Sequence, residues 1–239
     1  MSAVASERVS TIVREPSTTR TAAITAFAAG LLTLVLLAAL HVLSPEFDPS
    51  WRVVSEYANG HYGWVLSLMF ACWAVSSWML AFALRPYLER RTGRIGFWFL
   101  IVAGAGEALA AAFDINQPLH GVAGLLGVGG LPVAALLTSI ALRSSPTWLN
   151  QGKILTRIAN LTWIMVVAMV ASLVLMFLTY VHAGGHVPAD GRSLPLGTSL
   201  PTGTIAIAGY ADRLLVIVNC TWAMAAAFLT VKSASRALV

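Results

Sequence analysis

Imidazoles and carboxylates carry the chemistry of this chain, and they gather at corresponding ends of its apolar segments. His41, His61, His120, His182 and His186 flank those segments beside Asp48, Glu56, Asp114 and Asp212. Imidazole next to carboxylate serves proton transfer, metal ligation and the capture of polar ligands. Glu107 adds a carboxyl inside an apolar run, where an ionised group costs several kcal/mol unless it is paired. It precedes Asp114 by seven residues. Two helical turns at 1.5 Å per residue would stack the two carboxyls on one face, about 10 Å apart. Such a stack suits a proton path or the mouth of a cleft, and a hydrogen bond to a neighbouring helix would meet the same cost without either.

His182 and His186 have the four-residue spacing that lets two imidazoles share a metal on a helix. Gly184 and Gly185 between them argue against a helix there. With His41 and His120 they are the candidates should a metal ion such as zinc bind. No complete ligand signature is present, so no cofactor is expected. Asp212 and Arg213 open the last apolar run, where an acid favours a helix N-terminus. The Arg213 guanidinium could face Asp114 or Glu107, or hold an anionic head group by paired hydrogen bonds. Ser55 and His61 do not make a triad, and there is no G-x-S-x-G elbow. A P-loop, a dinucleotide fingerprint, a c-type haem motif and a spanning lysine for a retinal Schiff base are also missing, which argues against several common classes of membrane machine, ATP-driven ones in particular.

These residues must be positioned by membrane-crossing helices. Of 239 residues, 58% are hydrophobic and 10% charged, with a mean hydropathy of +0.78. A spanning helix needs about 20 mostly apolar residues. Six runs qualify, at 21–43, 62–84, 95–113, 121–142, 158–181 and approximately 210–231. The expected architecture is all-α: a six-helix transmembrane bundle over 21–231, with cytoplasmic tails at 1–20 and 232–239.

Orientation follows from basic residues, which translocate poorly. Arg8, Arg14, Arg20, Arg85, Arg90, Arg91, Arg94, Arg143, Lys153, Arg157, Lys232 and Arg236 fall on one side of the expected spans. Arg52, Arg192 and Arg213 fall on the other. Both termini are therefore expected in the cytoplasm, with the histidines facing outward from a cell inner (plasma) membrane. The basic pI of about 9.7 is a topology signal. No soluble basic face of the kind nucleic-acid binding needs is present. The first run lacks a clear small-x-small cleavage site and reads as an uncleaved span. Cys72 and Cys220 lie inside spans as isolated small apolar groups.

The loop 182–209 is rich in Gly, Pro, Ser and Thr and reads as a mobile cover over the outer face. Gly121, Gly124, Gly127, Gly129 and Gly130 open the fourth run at spacings that favour close helix packing. Pro132 should bend that helix. Trp51, Tyr57, Tyr62, Trp64 and Tyr210 are placed for an interfacial aromatic belt.

One stretch is more specific. Pro45-x-x-Asp48, then Ser55-x-Tyr57, then Gly63-Trp64 entering the second span, resembles the bacterial integral-membrane family catalogued as domain of unknown function 998. Phe113-Asp114 closing the third span, His120 before the fourth and Arg213 at the head of the last agree with that likeness. A proline that the family tends to keep beside the third-span Asp is displaced here to Pro118. The resemblance implies the six-span fold and a polar outer site, and no reaction.

Three functions fit. The first is an outward-facing pocket for a lipid or amphipathic small molecule, built from Ser55, Tyr57, Asp114, His120 and Arg213, with Asp48 and Asp212 beside them. The second is an intramembrane enzyme, metal-assisted or not, with Asp114 or Glu107 as proton carrier, His120 as partner and Arg213 as anion clamp. The third is a proton-coupled transporter relaying through Glu107 below Asp114. Membrane lipids are the expected partners in each case.

Overall fold

The computed structural model describes residues 17–188 and 193–236; the tail as far as residue 16, with Arg8 and Arg14, and the loop segment holding Arg192 lie outside the described residues. Among the described residues there are seven α-helices: α1 (Ser17–Leu43), α2 (Gly63–Leu84), α3 (Arg91–Ala112), α4 (Pro118–Gly124), α5 (Gly130–Arg143), α6 (Leu149–His182) and α7 (Ala208–Arg236). A π turn, Leu125–Gly129, joins α4 to α5 into a single crossing. Six helical segments among the described residues are long and apolar enough to span a membrane. No strand occurs among the described residues. Helices are the form such sequences must take, since hydrocarbon offers no partner for an unpaired backbone group.

The helix ends follow local chemistry. Gly184 takes φ +83 just past α6, and the backbone N–H groups of Gly184 and Gly185 return to the carbonyls of Val181 and Tyr180. That is the usual glycine termination of a helix, and it places His182 and His186 on either side of a chain reversal rather than on one helical face. α3 stops at Ala112 because Phe113 is already extended, with ψ 114. In the fourth crossing Pro132 brings no N–H, and its ring crowds the carbonyl four residues back. The helix accommodates this by widening one turn earlier, within the glycine-rich π segment.

Neighbouring helices pack in a closed ring, α1 on α2, α2 on α3, α3 on the fourth crossing, α5 on α6, α6 on α7 and α7 on α1. Close backbone approach is clearest at Gly106, where a Cβ would collide with the backbone of Gly127 and Ala123. Hydrogen bonds tie the ring across its seams: Ser76 Oγ donates to the Ala26 carbonyl at 2.8 Å, Trp78 Nε1 to the Ile101 carbonyl at 3.1 Å, and Trp222 Nε1 to Ser139 Oγ at 3.1 Å. In the absence of a hydrophobic drive between helices, such bonds and small-residue contacts hold the bundle. α6 is the least enclosed helix; Ile164, Val167, Val174 and Phe177 are all more than half exposed.

All five histidines lie at the end where α1 finishes and α2 begins, here called the histidine end. Arg85, Arg90, Arg91, Arg94, Arg143, Lys153 and Arg157 lie at the opposite, basic end.

Candidate functional site

Two polar clusters occupy the histidine end. The first is built around Arg213, on the first turns of α7. Its Nε donates to His41 Nε2 at 2.7 Å, one Nη to the carbonyls of Arg52 (2.6 Å) and Gly209 (2.9 Å), and the other Nη to Tyr57 Oη at 3.0 Å. His41 Nδ1 lies 2.7 Å from the Leu37 carbonyl. A carbonyl only accepts, so Nδ1 carries the proton and Nε2 offers its lone pair to the arginine. Arg213 is 6% exposed and Tyr57 1%. The guanidinium is thus consumed by protein groups, and it faces neither Asp114 nor Glu107. Close approach here requires Gly209, where a Cβ would sit 2.5 Å from the Pro49 carbonyl.

Arg52 does similar work. It stacks over Trp51, 4.1 Å to the ring centroid, and donates to the carbonyls of Leu194 and Pro195 at 2.6 and 2.5 Å. The glycine- and proline-rich loop expected to be a mobile cover is therefore tied to the bundle at that point. The Glu56 carboxylate lies 3.5 Å from Arg52 without a hydrogen bond between them. Burial raises the Glu56 carboxyl above its ordinary range, and Arg52 only partly opposes this. Asp48 is exposed, and the N–H of Ser50 holds its carboxyl below the usual value. It lines a separate open groove of about 490 Å³ with Glu46, Ser50, Arg52 and the segment 197–204.

The second cluster lines a small cavity, about 60 Å³, between α2, α3, the fourth crossing and α7. Ser55, Glu107, His120 and Asp212 are its polar lining; Phe70, Trp73, Ala110, Leu215 and Val216 are among its apolar walls. Ser55 stands on a 3₁₀ turn, Val54–Asn59, that folds back over the bundle. That turn is pinned three times: the Val54 N–H donates to Asp212 Oδ2 at 2.7 Å, Tyr57 accepts from Arg213, and Asn59 accepts from Asn116 Nδ2 at 2.8 Å. His120, on the first turn of α4, sets Nε2 3.0 Å from Ser55 Oγ and Nδ1 2.9 Å from the Phe113 carbonyl.

Glu107 is 3% exposed. Ser77 Oγ donates to its Oε2 at 2.8 Å, while Oε1 has no partner. Glycine at 106 and 127 lets α3 and the fourth crossing meet directly beside it. The expected stack with Asp114 does not form, because α3 ends before Asp114. That residue is exposed, and its carboxylate accepts from the Asn116 N–H at 2.9 Å. Of the glycines opening the fourth crossing, Gly127 and Gly130 face α3 as packing requires, whereas a Cβ on Gly121 or Gly124 would meet nothing within 4 Å. Gly124 lines the cavity, so the cavity has an unobstructed flank there.

The structure thus brings Ser55, His120, Glu107 and Asp212 together, and separately Tyr57 and Arg213 with His41. Asp48 and Asp114 stand apart from both. Among the described residues no three of His, Cys, Asp and Glu converge as a metal-ligand group. In the aromatic belt, Trp64 (65% exposed) and Tyr210 (51%) face outward, but Trp51 and Tyr57 are buried under the two arginines. Sequence reasoning missed Arg52, Ser77 and Asn219. Arg52 was signalled by its presence on the cation-poor side. Ser77 and Asn219 carried no signal; Asn219 is fully buried, with both side-chain polar atoms unpartnered, one turn below Leu215 and Val216 on the same face of α7.

A ring of apolar helices with its polar groups collected at one end defines a multi-pass helical membrane protein. Residues 27–229 match the family model described as "Protein of unknown function (DUF998)", and the chain belongs to that family. No curated protein and no solved structure matches it.

Proposed function

We propose that the cavity at the histidine end receives the polar part of a lipid or other amphipathic small molecule, and that this end faces away from the cytoplasm. The orientation rests on the concentration of Lys and Arg at the opposite end. The observation that carries the binding reading is Glu107 Oε1, a buried oxygen without a partner in a cavity whose other polar lining is Ser55, His120 and Asp212. Leaving such a group unmet costs about 1–3 kcal/mol or more, so water or a ligand donor is needed there.

Size decides what kind of ligand. Sites that enclose drug-sized molecules run to about 300–1,000 Å³, against about 60 Å³ here. Only a small polar group fits, and a chain attached to it must lie outside. Gly124 leaves one flank of the cavity open, and Leu119, Val122 and Leu125 elsewhere on the same crossing are exposed by 49%, 48% and 73%. An amphipath with its head in the cavity and its tail in the lipid satisfies both surfaces.

Native mass spectrometry of the protein purified in mild detergent tests this. A bound amphipath is expected on the wild type, with occupancy at least about tenfold lower in Glu107→Gln, which turns an amide donor toward the ligand in place of the unpartnered oxygen, and in Gly124→Leu, which adds bulk where a Cβ meets no neighbour. Equal occupancy in all three would end this reading.

A further inference from the structure

We propose that Ser55 and His120 form a nucleophilic dyad that cleaves a carboxylic ester of the amphipath held in this cavity; the inference rests on the binding reading above. Its basis is the direction of two hydrogen bonds. His120 Nδ1 lies 2.9 Å from the Phe113 carbonyl, which can only accept, so the ring proton sits on Nδ1. In the neutral ring Nε2 is then a bare lone pair, 3.0 Å from Ser55 Oγ. The serine proton lies on that line. This is the arrangement of an activated serine, a hydroxyl hydrogen-bonded to an imidazole that a third group orients. Here a backbone carbonyl is the orienting group, and Asp212 lines the same cavity.

Placement supports reaction over simple stapling. Ser55 is held between anchors on both sides, Val54 to Asp212 and Asn59 to Asn116, so its Oγ does not wander. Ser55 and His120 both line the cavity, and His120 is followed along the same helix by Gly124 at the open flank. An ester carbonyl can therefore reach Oγ by the Gly124 flank while its chain stays outside the cavity.

The step balances with water as co-reactant. Ser55 Oγ bonds to the ester carbonyl carbon as its proton passes to His120 Nε2. The tetrahedral adduct then collapses, the carbon to alkoxy-oxygen bond breaks, and the departing alcohol takes the proton from Nε2. Water next gives a proton to Nε2 and its oxygen to the acyl carbon. Ser55 leaves and recovers its proton, and the products are a carboxylic acid and an alcohol.

The test is covalent labelling of the full chain in mild detergent with two fluorophosphonates, one short and one long in its alkyl chain. Peptide mass mapping of the wild type is expected to place a single adduct on Ser55 with at least one of them. Ser55→Ala takes no adduct, and His120→Ala slows labelling by about 10²–10⁴-fold, the usual scale of a positioned base. Labelling should also rise with pH through one ionisation that His120→Ala abolishes, a signature that a purely structural hydrogen bond would not produce. No Ser55 adduct from either probe, or a rate and pH profile unchanged in His120→Ala, overturns the dyad. Wild-type mapping decides the matter even if a variant fails to fold. Bound amphipath measured in the same samples separates the two readings: occupancy without any adduct sinks the chemistry and leaves the binding site standing.

Discussion

The Arg213 cluster and the Glu107 cavity lie side by side at the histidine end, yet they differ in whether their polar groups are satisfied. Around Arg213, His41, Tyr57 and two backbone carbonyls accept every bond the geometry offers them. In the cavity, Glu107 keeps one oxygen bare and the Ser55 hydroxyl is bonded only along its proton. A buried network with all its bonds made rigidifies a fold, and one left partly open is costly unless something else completes it. The first cluster is therefore architecture, joining α1, the 3₁₀ turn and α7. The second is where a ligand has something to gain.

This contrast predicts opposite outcomes for replacing polar groups in the two clusters. Arg213→Ala should be the most damaging change, about 3–5 kcal/mol, because it strands buried acceptors on three segments at once. Thermal unfolding in detergent measures it, and a wild-type Tm would erase the distinction between the clusters. Asp212→Ala should cost less, about 1–3 kcal/mol, through the unpaired Val54 N–H; the same melts and the loss of ordered 3₁₀ turn by hydrogen exchange report it. Glu107→Gln keeps the Ser77 bond and should change stability by under about 1 kcal/mol while emptying the site, which sharpens the contrast if both are seen.

The smallest effect concerns Glu56. Burial raises its carboxyl in the folded protein, so folding penalises the charged form. Wild-type stability should then decline as pH rises from the ordinary carboxylate range through the raised folded value, and stay level below it. Glu56→Gln lacks that decline, so the Tm difference between the two should widen toward higher pH and vanish in acid. A wild type that instead gains stability over Glu56→Gln as pH rises would show that the Arg52 charge at 3.5 Å governs Glu56 instead of burial.

Much of the bundle was legible in advance, for a physical reason. Every span depends on a sum over about 20 residues, and such sums survive local error; the expected 121–142 and the observed crossing from Pro118 to Arg143 differ only at the ends. The fifth is an exception, since α6 begins at Leu149, nine residues before the apolar run. Gln151 and Lys153, polar residues with good helix propensity, help extend it. The site was legible in its members but not in its pairings. Ser55, His120, Glu107 and Asp212 were all named, yet His61 was weighed as the partner of Ser55, Asp114 as the partner of Glu107, and Arg213 as an anion clamp.

Hydropathy alone, then, determined that this chain has six segments able to cross a membrane and that its imidazoles collect at one end, because burial in hydrocarbon is decided by whole segments. Which imidazole meets which hydroxyl was decided only by the tertiary structure. Ser55 and His120 are separated by 65 residues and His41 and Arg213 by 172. Bonds across such spans depend on helix rotation and on close glycine contacts to within about 0.5 Å, a tolerance that no periodicity along the chain can encode.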